Sequence, residues 1–203
     1  EPCLFPTHLG SKELMTKWKT SIIRELLVPA GFRKRGTNLW ERELGTLVQV
    51  VLIARSGLRF RGDTQIEALW RFCLTECEEE FRYDGELPAI YLTLDKVEGK
   101  EGEDKLVKEL NRLLKTLDEL NSVQNILEAY EKGTLTREQA FGVDRKWQSF
   151  HLGCCLLHVG REEEARAYLE EIVEKGGHRQ AFQRKRKKIA RKLLQENYPE
   201  KQE

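Results

Sequence analysis

The stretch GFRKRGTNLWERELGTLVQVVLIARSG, residues 31–57, contains the signals that decide the fold. Residues 37–43 are predicted to form a strand, and residues 46–54, which are rich in β-branched side chains, a second one. Gly45 separates the two segments, so we expect them to pair as a β-hairpin. In a hairpin, the loop that enters the first strand lies beside the loop that leaves the second.

Basic side chains flank both ends of this hairpin. Arg33, Lys34 and Arg35 lie in the entering loop, Arg55, Arg59 and Arg61 in the leaving loop, and Trp40 in the first strand. We call this set the hairpin rim. Its cations would attract anions, and the planar guanidinium group suits carboxylate or phosphate, so the sequence predicts an anion-binding or partner-binding surface. The favoured alternative is that these charges are solvated or paired with the acidic segment at residues 76–81.

A helix before the hairpin and two strands after it complete the predicted N-terminal half. Apolar residues recur every four positions in residues 12–28, as in an amphipathic helix. Residues 64–75 fit both helix and strand periodicity, and we assign them to a strand because the elements on both sides are strands. Residues 88–96 alternate more clearly. The result is an antiparallel sheet of about four strands.

The second half of the chain is predicted to be helical. Apolar residues from Leu106 to Leu120 recur at helical spacing. Three side chains fit helix caps: Ser122, and Thr136 with Gln139 in a capping box. Further helices are predicted at residues 144–159, with Asp144 as cap, and at residues 161–175 and 178–197. The fold class is therefore α+β, with an N-terminal helix, a small antiparallel sheet and an all-helical C-terminal half.

The expected organisation is a single α+β domain at residues 15–177, with a sheet part at about 15–97 and a helical part at about 103–177. Residues 1–14 are predicted to be an extension ahead of it, and residues 178–203 a basic C-terminal helix and tail. The net charge of +1 creates no global field toward nucleic acid or membrane. Five cysteines without a C-x-x-C motif, and apolar runs far shorter than the roughly 20 residues of a membrane span, predict a cytoplasmic protein with no membrane partner.

A second basic cluster lies in HRQAFQRKRKKIARKLL, residues 178–194. Its candidate contacts to nucleic acid are Arg184, Lys185, Arg186, Lys187, Lys188 and Arg191. Such contacts would go to phosphates and would not read the base sequence. The favoured alternative is that this helix pairs with the acidic helix before it, and a third is that it is a solvated tail.

The chain carries candidate metal-binding side chains but no catalytic signature. His151, Cys155 and His158 fall on one helical face and are residue types that bind metals. Their neighbours are apolar, which favours a packing helix, so no metal and no other cofactor is predicted. The chain contains no G-x-S-x-G, H-E-x-x-H or phosphate-binding loop motif. We therefore predict no catalytic residue and a protein that is not an enzyme.

The segment LLVPAGFRKRGTNLWEREL, followed by LVQVVLIARS, resembles the opening of a bacterial family known as domain of unknown function 4304. The matching positions are Gly31, Phe32, Arg33, Lys34, Arg35, Gly36, Trp40, Arg42, Glu43, Val48, Gln49 and Val50. Later segments, among them KELNRLLKTLDEL and SVQNILEAYEKG, also fit, so the resemblance covers residues 15–177. It implies a small α+β bacterial cytoplasmic protein and indicates no reaction.

The segment LGCCLLHVGREEEARAYLEEIVEKG is separately similar to one tetratricopeptide helical pair. In that comparison Gly153 and Ala165 lie at the helix crossing and Gly160 in the turn. One pair is not an array, but helical hairpins packed side by side are a common protein-binding shape.

These features predict a non-enzymatic protein-interaction or regulatory module whose partner is another protein. By analogy with other small bacterial α+β proteins, its role would be immunity-like. The alternative is a nucleic-acid-associated protein that binds phosphates through the hairpin rim and the basic C-terminal helix. The sequence does not indicate the oligomeric state.

Overall fold

The computed structural model describes residues 17–55, 64–74, 89–94, 99–142, 145–175 and 181–198. Within these ranges the chain forms five strands and seven helices, and the α+β class predicted from the sequence is confirmed. Six of these seven helices follow the last described strand, so the C-terminal half is mostly helical, as expected.

The strands of the described residues form one antiparallel sheet in which each strand lies beside the next in sequence. The first strand, at one edge of the sheet, is very short. It pairs with the second strand, Arg33 opposite Glu41 and Lys34 opposite Trp40. The strands are β1 (Arg33–Lys34), β2 (Leu39–Leu44), β3 (Leu47–Arg55), β4 (Thr64–Phe72) and β5 (Ala89–Leu94).

The predicted hairpin of β2 and β3 is confirmed. Gly45 and Thr46 connect the two strands, and Gly45 has a φ of 62°, which glycine adopts without steric strain. At the other end of the hairpin, the amide of Ile53 donates to the carbonyl of Asn38 over 2.9 Å. The chain that enters β2 therefore lies next to the end of β3.

Strand β4 resolves the ambiguous periodicity of residues 64–75. Ile66, Ala68 and Trp70 are each 0% exposed, whereas the residues between them are half-buried. This alternation is that of a strand with one face in a core. The amide of Cys73 donates to the carbonyl of Thr46 over 2.7 Å, which aligns β4 with β3.

The helices of the described residues match the predicted order. Ser122 Oγ accepts a hydrogen bond from the Asn125 amide over 3.1 Å, and Thr136 forms a capping box with Gln139, so both predicted caps are confirmed. Residues 1–16, the cap at Asp144 and residues 178–180 lie outside the described ranges. None of the described helices is both long enough and apolar enough to cross a bilayer. The helices are α1 (Lys17–Leu27), α2 (Gly99–Glu119), α3 (Val123–Glu131), α4 (Arg137–Phe141), α5 (Arg145–His158), α6 (Glu162–Lys175) and α7 (Ala181–Asn197).

Backbone contacts divide the chain into two compact units. In the first, α1 packs against α2, and the buried leucines of α2, such as Leu106 and Leu110, belong to the same core as Ile23 of α1. In the second, α5 packs against α6, and α6 against α7. Among the described residues, the first unit comprises 17–43, 48–55, 64–69, 90–94 and 99–119, and the second comprises 44–47, 70–74, 89, 120–142, 145–175 and 181–198. Helix α2 is thus grouped with strand residues, whereas the sequence placed it with the helical part.

Helices α5 and α6 form the predicted helical hairpin. Gly153 permits their close approach, because a Cβ at this position would lie 3.3 Å from Tyr168 Cβ and 3.3 Å from Leu169 Cδ2. Ala165 is fully buried, and Gly160 turns the chain with a φ of 79°. The relation of this pair to tetratricopeptide repeats stays a prediction.

Candidate interaction surface

The hairpin rim lies only partly within the described residues. Arg33 and Lys34 are exposed on β1, and β2 lies between β1 and β3 in the sheet. The backbone of Arg55 ends β3, but its side chain, like the whole of Arg59 and Arg61, lies outside the described residues. The gathering of these cations at one rim stays a prediction.

Arg35 forms ion pairs within its own hairpin. Its Nε lies 3.2 Å from Glu41 Oε2, and its Nη2 lies 3.2 Å from Glu43 Oε1. The Arg35 side chain is 51% exposed, so each pair contributes only about 0–1 kcal/mol to stability. The two carboxylates nevertheless reduce the attraction of Arg35 for an external anion.

Trp40 departs from the predicted rim because it is a core residue. Successive residues of a strand point to opposite faces, and Trp40 lies on a buried face of β2 with 4% of its surface exposed. Lys34 Nζ lies 5.9 Å from the centroid of the indole ring. A partner at the surface can reach Lys34 but not the ring of Trp40.

Arg42 is the centre of a polar network that the sequence reasoning did not identify. Its Nε and Nη2 donate to Gln49 Oε1 over 3.0 Å and 2.7 Å. Its Nη1 donates to the Ala30 carbonyl over 2.9 Å and lies 2.7 Å from Asp118 Oδ1. Gln49 is fully buried, and its Nε2 donates to the Leu117 carbonyl over 2.7 Å. The network therefore joins β2 and β3 to the end of α2.

Two sequence features signal this network. Gln49 interrupts the apolar run of β3, and a buried amide in such a run requires hydrogen-bond partners. The second feature is the glycine at position 31. In the structure Gly31 has a φ of 85°, and a Cβ there would lie 3.4 Å from Arg42 Cδ. The guanidinium of Arg42 also lies 4.8 Å from the centroid of the Phe32 ring. Since these contacts engage its donors, Arg42 stabilises the fold and is not an anion-binding site.

The basic C-terminal cluster divides between two faces of α7. Arg186 and Lys187 are buried, with 3% and 7% of their surfaces exposed, on the same face as Ala190 and Leu193. Because both cations are buried, they are not accessible to phosphates, which corrects the prediction for them. The exposed cations are Arg184, Lys185, Lys188 and Arg191, and we call these the basic stripe.

The basic stripe is short. Arg184, Lys188 and Arg191 follow helical spacing and span about 10 Å along the axis at 1.5 Å per residue. Lys192, beside the stripe, forms an ion pair with Glu196 over 3.8 Å. The stripe can therefore contact one acidic patch or a few phosphates, but it does not form an extended groove.

Several acidic residues of α6, on which α7 packs, have basic partners close to them in sequence. Arg161 lies 2.6 Å from Glu164 and also pairs with Glu131, and Arg166 lies 2.8 Å from Glu170. The hydrogen bond from Arg161 lowers the pKa of Glu164. Pairing of the basic cluster with α6 stays a prediction.

An acidic depression of about 440 Å³ lies on α6. The guanidinium of Arg137 lies 5.7 Å from the centroid of the Tyr168 ring, which forms part of its wall. The wall consists of Ala167, Tyr168, Glu170, Glu171 and Glu174. Glu170 already pairs with Arg166, and the acidic character alone indicates no ligand.

Tyr198 attaches the end of α7 to the start of α6. Its hydroxyl donates to the carbonyl of Glu162, and the guanidinium of Arg166 lies 5.4 Å from the centroid of its ring. Burial raises the pKa of Tyr198, and the neighbouring Glu162 and Glu163 raise it further. The side chain is therefore a neutral phenol at physiological pH. We call the contacts of Tyr198 with Glu162 and Arg166 the Tyr198 clamp.

The histidines of α5 have separate partners. Nδ1 of His151 lies 3.0 Å from the Phe141 carbonyl oxygen, and burial lowers the pKa of His151 to about 4. The imidazole is therefore neutral at physiological pH and donates from Nδ1. Nε2 of His158 lies 3.3 Å from Thr46 Oγ1. In the described part of the chain, no three His, Cys, Asp or Glu side chains are grouped so that they could hold a metal ion.

Comparisons with protein-family models, curated proteins and solved structures gave no match to this chain. The resemblance to domain of unknown function 4304 therefore stays a prediction, as does a bacterial origin. Among the surfaces of the described residues, the basic stripe is an accessible, charged one.

Proposed function

We propose that this chain is a non-enzymatic protein-interaction module and that the basic stripe of α7 contacts an acidic surface of its protein partner. The proposal is carried by the division of α7 into a buried face and an exposed face with four cations. Exposed charges of one sign steer association with a surface of the opposite sign. By analogy with other small α+β proteins, the role would be regulatory and immunity-like.

The character of the described surface supports recognition by charge. Among the described residues, Val28 is the one large apolar side chain that is exposed, at 50%. Arg184 and Arg191 offer planar donors that bind carboxylates in a bidentate manner, and arginine is frequent among residues that dominate binding. Because exposed charges are screened over about 8 Å at physiological ionic strength, the affinity is expected to fall as salt rises.

Charge reversal on α7 tests the proposal. Lys188→Glu with Arg191→Glu reverses two charges of the basic stripe, and Lys108→Glu with Lys115→Glu reverses two exposed charges on α2 as a matched control. Each full chain is immobilised, exposed to lysate of its source at moderate salt, and the retained proteins are quantified. We expect a partner that wild type and the α2 variant retain and the α7 variant loses. Equal retention by all three, or no retained partner, would contradict the proposal.

Nucleic acid is the second candidate partner, because the four cations of the stripe lie together on one exposed helix face. Contacts from four cations to a single strand would give a slope of about −3 for log K against log salt, at about −0.7 per phosphate. Anisotropy of a labelled 20-nucleotide single strand, titrated at several salt concentrations, measures this slope. No binding at low salt, or binding that survives Lys188→Glu with Arg191→Glu, would exclude this candidate.

A further inference from the structure

Helix α7 packs on α6, and its buried face has mixed chemistry. Ala190 and Leu193 are buried there, and so are Arg186 and Lys187. Taking an ammonium and a guanidinium group out of water opposes docking even when partners compensate. The docked position of α7 is therefore less favourable than that of a helix with a wholly apolar face.

A contact outside this face holds the far end of α7. Tyr198 follows the helix directly, and its clamp reaches the first residue of α6, Glu162, and one turn further, Arg166. Arg166 is itself positioned by Glu170, whose Oε1 lies 2.8 Å from its Nε. The clamp therefore fixes the end of a helix whose central contacts include two buried cations.

We propose that α7 is a releasable helix whose docked state is maintained by the Tyr198 clamp, and that its release adds Arg186 and Lys187 to the surface offered to the acidic partner. This inference rests on the proposed function. A partner shifts an equilibrium only by its difference in affinity for the two states. The released helix presents all six candidate cations named above, and the docked helix exposes four of them, so an acidic partner binds the released state more tightly.

The composition of α7 allows it to stay helical when it leaves α6. Its sequence AFQRKRKKIARKLLQEN consists mainly of Arg, Lys, Leu, Gln and Ala, which are strong helix formers. With 17 residues, α7 exceeds the length of about 12–15 residues below which isolated helices are marginal in water, so the released helix is partly formed and an acidic surface stabilises it further. Release therefore exposes a helix that can fold on its partner.

Hydrogen exchange of the full chain tests the release. In Tyr198→Ala, we expect the amides of α7 to exchange about tenfold faster than in wild type, a change of about 1.4 kcal/mol in opening free energy, while α5 and α6 are unchanged. Tyr198→Phe keeps the ring on Arg166 and loses the hydroxyl, so an intermediate effect is expected. If α7 exchanges at the rate of α5 and α6 in wild type and in both variants, the proposal is overturned. Tyr198→Phe alone suffices for this comparison if the alanine variant fails to fold.

Binding of a labelled poly-glutamate peptide connects release to function. We expect Tyr198→Ala to bind the peptide several-fold more tightly than wild type, and Lys188→Glu with Arg191→Glu to weaken binding in both backgrounds. If wild type and Tyr198→Ala bind the peptide with equal affinity and their α7 amides exchange at equal rates, the release is overturned and the proposed function still stands. Faster exchange without any binding of the peptide would overturn the proposed function, and with it the coupling, but not the clamp.

Discussion

At the scale of single residues, Arg42 shows how one side chain can satisfy several buried groups at once. Gln49 Oε1 and the Ala30 carbonyl each accept a hydrogen bond from its guanidinium. Its ion pair with Asp118 contributes less, because the Asp118 side chain is 60% exposed and its charge is screened by water. Arg42 therefore stabilises the fold mainly through its hydrogen bonds to buried acceptors.

Replacement of Arg42 is expected to be more damaging than replacement of the exposed Arg33. Arg42→Ala leaves the Gln49 oxygen and a carbonyl without donors in a poorly hydrated site, and we expect a loss of about 2–4 kcal/mol in unfolding free energy. Arg42→Lys retains the charge but not the planar fork, so its loss should be intermediate. Urea unfolding measures both, with Arg33→Ala as the control, expected within about 0.5 kcal/mol of wild type. An Arg42→Ala variant as stable as this control would refute the network's role.

His151 is expected to make stability depend on pH. Its pKa is about 4 in the folded protein and 6.5 as the ordinary value, so between these values the unfolded chain binds a proton that the native state does not. Stability from this group is therefore complete above pH 6.5 and falls as the pH drops toward 4. Between pH 7 and pH 5.5 the loss should be about 1 kcal/mol, because one pKa unit corresponds to about 1.4 kcal/mol.

Urea unfolding of wild type and His151→Asn at these two pH values measures the effect. The variant lacks the titrating group, so its stability should change about 1 kcal/mol less than that of wild type over this interval. Each protein is compared with itself at the two pH values, so any pH-independent effect of the substitution on the unfolding free energy cancels. Identical pH dependence of the two proteins would show that His151 is protonated in the folded state or hydrated there.

At the scale of elements, local patterns predicted most of the fold. Apolar period, turn residues and the caps at Ser122 and Thr136 act within a few residues, so the sequence displays them directly. It was harder to predict which face of each element is buried, because burial depends on what packs against the element. Trp40 was predicted to lie at the surface but is buried. Arg186 and Lys187 were predicted to be accessible, although the helical period places them on a different face from the exposed Lys188. The Arg42 network was missed because its partners are far apart in sequence.

Gly153 is expected to limit how closely α5 and α6 can pack. A Cβ at this position would meet Tyr168 Cβ, which is attached to the backbone and cannot move aside. Gly153→Ala gains about 1 kcal/mol in helix propensity, but overpacking costs about 1–3 kcal/mol, so we expect net destabilisation. Thermal unfolding compared with Gly160→Asn, which tolerates the positive φ of the turn, checks this. A Gly153→Ala variant more stable than wild type would mean that the helices are not in contact there.

At the scale of the whole molecule, opposite charges nearly balance, yet basic residues are concentrated locally. The net charge of +1 predicted no strong global field, and the described surface agrees with recognition by local charge, since Val28 is its one exposed large apolar side chain. The sequence located the basic cluster of residues 178–194 but not its division into two faces. That division depends on how α7 packs in the fold, which the local sequence pattern does not display.

The dissociation constant of the complex with the retained protein tests the central claim most directly. It is measured at low and at physiological salt for wild type, for Lys188→Glu with Arg191→Glu, and for Lys108→Glu with Lys115→Glu. The account predicts that the α7 variant binds at least about tenfold more weakly and loses most of its salt dependence, while the α2 variant binds like wild type. If the α7 variant also binds with the wild-type affinity and salt dependence, the basic stripe is not the binding surface.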